Sequence, residues 1–173
     1  MTPGPEVAWP SGRPRAFASL PRFLFDAQTP RWRYVLLAWP VVALPALVLA
    51  WLMSWLAPGL AGPKLDGGPD WLLILGVVVI SPLLETLLMI GPVALIAGRF
   101  GPVTAVVGSA ALWGVAHSLL AARWGLVVWW PFLIFSIAYL TWRGRGRWRA
   151  VALVTAIHML QNAAPVVALL ATR

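Results

Sequence analysis

The chain has 173 residues, of which 61% are hydrophobic and 10% charged, and a mean hydropathy of +0.84. A soluble domain is about 45–50% apolar and about 25% charged, so the composition excludes an ordinary soluble protein. The absence of cysteine excludes disulfides, thiol nucleophiles and thiolate metal sites. The formal charge of +8 is carried by residues lying between apolar segments. There they set topology and meet anionic lipid headgroups, and no nucleic-acid partner is expected.

Residues 1–30 form a basic, Pro-rich tail, and 31–173 read as an all-α, polytopic transmembrane bundle of about five helices. No apolar run follows the start directly, so the opening does not read as a secretory signal. The segment 16–25, AFASLPRFLF, either lies on the membrane surface as a short amphipathic piece or belongs to a disordered tail. Pro21 weighs against a continuous helix there.

The first span runs from about Tyr34 to Ala57, uncharged and long enough to cross a hydrocarbon core that takes ~20 residues. Pro40 and Pro45 predict a kink. The loop 58–70 is rich in turn residues and ends in Asp70, a candidate N-cap. The second span, about Trp71–Ala97, carries one acid, Glu85, with Pro82 before it and Gly91-Pro92 after it. These breakers free backbone groups that lipid cannot satisfy. A third span is expected over Val103–Ala122, with Trp113 and His117 four apart on one face. A fourth follows over Gly125–Trp142, and a fifth over Ala150–Ala171 with His158 and Asn162 on one face. Trp32, Trp39, Trp51, Trp55, Trp71 and Trp124 fall near expected helix ends, as interfacial anchors do.

Orientation follows from the basic residues. With a cytoplasmic N-terminus, the inside holds Arg13, Arg15, Arg22, Arg31, Arg33, Arg99, Arg143, Arg145, Arg147 and Arg149, ten of the thirteen Lys and Arg. Lys64, Arg123 and Arg173 fall outside. This bias predicts N-terminus in, by the positive-inside rule. There is no internal repeat of the transporter kind.

Charged or titratable side chains in a membrane interior are costly and usually functional. Here they are one carboxylate and two imidazoles, on three different spans. At ~1.5 Å per residue, Glu85, His117 and His158 lie roughly 18, 21 and 12 Å from the inner ends of their spans. All three therefore sit in the middle zone, where they can converge. Each alone could be interhelical glue, worth about 0.6 kcal/mol on average. Together with Asn162 they predict a site. Two His and one Glu is also a zinc ligand set, so Glu85, His117 and His158 are alternative metal ligands.

The motifs resemble those of the CPBP family, the CAAX proteases and bacteriocin-processing (Abi) enzymes, which are intramembrane glutamic proteases. The family's first motif is a Pro, two variable residues, a Glu-Glu pair and then an Arg-Gly; here it reads Pro82-Leu-Leu-Glu85-Thr86-Leu-Leu-Met-Ile90-Gly91. The second, an aromatic four residues before a His, reads Trp113-Gly-Val-Ala-His117. The third, H-x-x-x-N, reads His158-Met-Leu-Gln-Asn162. The likeness covers residues ~70–170 in order.

It implies an endopeptidase of a bacterial plasma membrane that cleaves a peptide or protein substrate without a cofactor. Glu85 and His117 would activate a water, and His158 and Asn162 would stabilise the oxyanion. Trp113, Pro82 and Thr86 would support them. The sequence departs from the pattern at Thr86 and Ile90, where the family has Glu and Arg. These positions are an ion-pair spacing on a helix, so losing both leaves no unpaired charge. The alternative is an inactive scaffold or immunity protein that binds a peptide or partner without cutting it.

Overall fold

The computed structural model describes residue 9 and residues 12–62 and 71–171, side chains excepted at 168–171. Asp70, the expected N-cap, lies outside the described residues. Helix is the only regular secondary structure among the described residues, which hold no strand. Five long helices follow in order: α1 Arg31–Leu56, α2 Trp71–Phe100, α3 Pro102–Ser118, α4 Ala122–Arg143 and α5 Arg147–Ala171. Four of them (α1, α2, α4 and α5) are long and apolar enough to cross a membrane.

The helix at the centre is α4. From Pro131 to Trp142 every residue except Leu133 is buried. A helix apolar all round has no face to give to water and is enclosed by its neighbours. By contrast, α1 and α2 turn Leu44, Leu47, Leu84 and Leu88 outward, each more than half exposed. That is the surface a bilayer covers. α1 runs unbroken through Pro40 and Pro45. Pro45 has no N–H for the carbonyl of Val41, four residues back. The Trp130 indole of α4 donates to that carbonyl instead, at 2.9 Å.

The third helix is shorter than expected. It ends at Ser118 rather than Ala122, and its 17 residues rise about 25 Å, less than a ~30 Å hydrocarbon core. The reason lies in two glycines. A Cβ on Gly125 would strike Ser118 Oγ and the Gly114 carbonyl. α3 and α4 therefore touch backbone to backbone at this end, as small residues permit. The chain reverses in three residues, Leu119–Ala121, with the N–H groups of Leu120 and Ala121 both on the His117 carbonyl.

Part of the N-terminal tail belongs to the bundle. The 16–25 stretch forms two 3₁₀ turns, Arg15–Phe17 and Arg22–Phe25, separated by Pro21. Phe17, Leu20 and Leu24 are buried in the common core. The Leu24 carbonyl accepts from Tyr34 (2.9 Å) and from Thr141 (2.8 Å), while Trp9 donates to Thr141 (2.8 Å). These bonds tie the tail, the start of α1 and the end of α4 together. At the opposite end Arg123 N–H donates to the Ala61 carbonyl, joining the α1–α2 connection to the α3–α4 turn. The helices thus alternate in direction, and the arginines of the tail, of α1 and of the α4–α5 turn share one end.

Two tryptophans depart from expectation. Trp39 lies inside α1 with its ring nitrogen buried, and Trp124 lines an internal cavity. Trp32, Trp51, Trp55 and Trp71 are all exposed near helix ends.

Substituting Gly125→Ala is expected to force α3 and α4 apart at a cost of about 1–3 kcal/mol, seen as a lower unfolding temperature in detergent. Gly91→Ala, whose Cβ would meet nothing within 4 Å, serves as the control. It should leave that temperature unchanged or raise it, since Ala outranks Gly in a helix interior by ~1 kcal/mol.

Candidate active site

The acid-bearing helix is shaped by one proline. Between Trp71–Leu75 and Ser81–Phe100 the backbone widens into a π-turn, Gly76–Ile80, in which Ser81 N–H reaches back to the Gly76 carbonyl. The next donor that could serve Val77 is residue 82, and Pro82 has none. The Val77 carbonyl is left without a helical partner. Asn162 of α5 supplies one, its side-chain N–H donating at 3.0 Å. Asn162 therefore holds the π-turn against α5, and one of its two amide hydrogens is committed there.

One helical turn beyond the π-turn stands Glu85. Ser81 Oγ donates a hydrogen bond to Glu85 Oε1. The other carboxylate oxygen faces both imidazoles. Oε2 lies 3.9 Å from His117 Nε2 and 3.7 Å from His158 Nε2. The His side chains are 8% and 5% exposed and the Glu side chain 19%, so only the acid keeps some access to the medium. These separations exceed a direct hydrogen bond of about 2.7–3.2 Å. All three residues line one cavity, so a water can reach them from it.

The two imidazoles are not equivalent. His117 Nδ1 lies 2.9 Å from the Trp113 carbonyl, which can only accept, so Nδ1 carries the proton. Its Nε2, facing Glu85, is then a lone pair in the neutral ring. His158 Nδ1 is buried with no hydrogen-bond partner among the described residues. A buried N–H without an acceptor costs about 1–3 kcal/mol, so the proton belongs on Nε2, pointing at Glu85. These tautomers are assigned from partners. One ring presents an acceptor and the other a donor to the same point.

Aromatic rings fix both imidazoles. Trp124 meets His117 edge-on at 4.6 Å, and Phe135 lies 4.5 Å from His158. Trp113 stacks on Phe132 at 4.4 Å, and Phe132 touches both His rings. Trp113 is thus a buttress behind the site. Pro82 and Thr86 are buried and do not line the cavity. Thr86 Oγ1 and Trp113 Nε1 have no hydrogen-bond partner among the described residues. Ile90 is also buried, so a charged pair at 86 and 90 would be enclosed.

Glu85, His117, His158 and Asn162 line one cavity of about 630 Å³, to which all five helices contribute and whose wall is mainly apolar, with Ala61 and Gly62 from the α1–α2 connection at one edge. The spacing arguments did not single out Ser81, Gln161, Trp124 or Phe132. For Ser81 the signal was present: it stands four residues before Glu85, a facing position on a helix.

No protein-family model matches this chain, nor does any curated protein or solved structure.

Replacing Asn162 with Leu is expected to orphan the Val77 carbonyl, costing about 1–3 kcal/mol. Amide hydrogen exchange over residues 76–82 should speed up accordingly. Unchanged exchange there would show that the π-turn does not depend on this side chain.

Proposed function

We propose that the chain is an intramembrane endopeptidase that hydrolyses a peptide bond with a water activated by Glu85 and His117. The observation that carries this is the convergence of both His Nε2 atoms on one oxygen of Glu85. A water there has its hydrogen bonds accounted for: it donates to Glu85 Oε2 and His117 Nε2 and accepts from His158 Nε2–H. The resemblance of the three motifs to the CPBP proteases points the same way.

In this mechanism Glu85 takes a proton from the water as its oxygen attacks the scissile carbonyl carbon. The carbonyl oxygen becomes an oxyanion and receives the His158 Nε2–H, in a low-dielectric site where such a donor acts strongly. Glu85 then returns the proton to the amine nitrogen as the C–N bond breaks, releasing one acid and one amine. Asn162 contributes chiefly by holding the π-turn that carries Ser81 and Glu85, rather than as an oxyanion donor of equal rank to His158. Ser81 fixes the carboxylate rotamer.

The residues suit zinc poorly. As a zinc ligand His158 would need its Nε2 lone pair. Its proton would move to Nδ1, where no acceptor stands among the described residues, whereas metal-bound His normally donates its other N–H. Proteolysis is therefore proposed to need no metal. By the positive-inside rule, the arginine-rich end is placed in the cytoplasm, and the resemblance suggests a bacterial plasma membrane.

The purified chain in liposomes, given a mixture of membrane-anchored peptides, should generate new termini detectable by mass spectrometry. Glu85→Gln and His117→Ala should each lower the rate at least 10²-fold. His158→Phe should lower it about 10²–10³-fold, the usual cost of one oxyanion donor. A strong chelator should leave the rate unchanged. If Glu85→Gln retains full biological function in cells, the chain binds a partner without cutting it.

A further inference from the structure

Among the described residues, three surface grooves at the arginine-rich end differ in one respect. Two of them include Asp26 among their walls, one beside Arg33 and the other beside Arg13 and Arg22. The third lies between the first turns of α1 and α5. Arg31, Trp32 and Val35 line one side, and Trp148, Arg149, Ala152 and Leu153 the other, around about 470 Å³. Among the described residues no acid borders it, and no arginine forms an ion pair. Arg149 gives one N–H to the Arg145 carbonyl at 3.3 Å, leaving the rest of its guanidinium uncommitted.

Both helices also begin against the rule. Helix N-termini favour acidic residues, because unpaired N–H groups leave partial positive charge there. α1 and α5 have no acid in their first turns and begin with arginines instead. The Pro30 N-cap makes no side-chain capping bond. Two arginines and two helix ends thus face one another across a groove with no counter-charge among the described residues. Its floor is apolar. Trp32 and Trp148 flank it, 69% and 70% exposed, and tryptophan so placed marks headgroup level.

We propose that this groove binds one anionic phospholipid, with the headgroup phosphate between Arg31 and Arg149 and an acyl chain along Val35, Ala152 and Leu153. The charge calls for an anion and the floor for a hydrocarbon chain, and a phospholipid has both. A lipid here joins α1 to α5, the helix bearing His158 and Asn162. The site stands whether or not the chain is a protease.

The test uses the full chain in detergent, offered phosphatidylglycerol and phosphatidylcholine with identical acyl chains, and counts retained lipid by native mass spectrometry. Wild type is expected to keep one phosphatidylglycerol and to discriminate against phosphatidylcholine. The double variant Arg31→Gln, Arg149→Gln should bind it roughly thirtyfold more weakly, the loss expected for two cations at a membrane surface. Arg22→Gln with Arg33→Gln removes the same charge beside Asp26 and should change binding less than about threefold. Equal losses in the two double variants would reduce the effect to a diffuse field and overturn the site. Equal retention of phosphatidylcholine by wild type would do the same, independently of how the variants fold. Displacement by glycerol phosphate at the same concentration would make it a free-phosphate site instead.

Discussion

A carboxylate within apolar helices must be given polar neighbours by the protein, and the architecture around Glu85 supplies one hydrogen bond and two imidazoles. Leaving such a group unpaired in hydrocarbon costs several kcal/mol, comparable to the whole stability of a small domain. Three helices contribute to its surroundings: α2 through Ser81, α3 through His117 and α5 through His158. Two of the helix contacts are themselves set by backbone constraints. Pro82 strands a carbonyl that Asn162 recovers, and Gly114 with Gly125 lets α3 lie directly on α4. Polar placement in the site thus follows from where the chain cannot make ordinary helical bonds or needs no side-chain volume.

The asymmetry of the two histidines matters more than their number. Both face one oxygen at nearly equal range, yet their second nitrogens have opposite surroundings: a carbonyl for His117, apolar rings for His158. The neutral tautomers follow from this, and with them the division between an acceptor and a donor. The proposed water between Glu85 and the two rings depends on that difference.

Much of this was legible before any coordinates. The helices announce themselves as uncharged runs punctuated by Pro, Gly and Arg, and Glu85, His117 and His158 stand out as the one carboxylate and the two imidazoles within them. What was hidden depends on distant partners. The burial of Phe17, Leu20 and Leu24 rests on hydrogen bonds to Thr141 and Tyr34, which no local pattern in the tail reveals. Trp124 looked like an interfacial anchor, because its position next to a helix start cannot distinguish lipid from a neighbouring imidazole. Asn162 was recognised by spacing, but its partner is a carbonyl freed by a proline 80 residues earlier in the chain. The end of α3 was misplaced because the two glycines that permit its early reversal are ordinary residues until the helices are paired.

That early reversal has a consequence for how the medium meets the acid. His117 belongs to the last turn of α3, so the tip of the α3–α4 hairpin stands barely above Glu85. On α2 the same carboxylate is near the middle of a rod about 45 Å long. Leu119 and Leu120 at the tip are 82% and 76% exposed, an oily crest where a loop in water would carry polar side chains. Among the described residues, the wall around the carboxylate is low along this edge, with Ala61 and Gly62 beside it, whereas the flanking helices rise well past it. Depth along the acid's own helix therefore overstates how far the acid is from the outside.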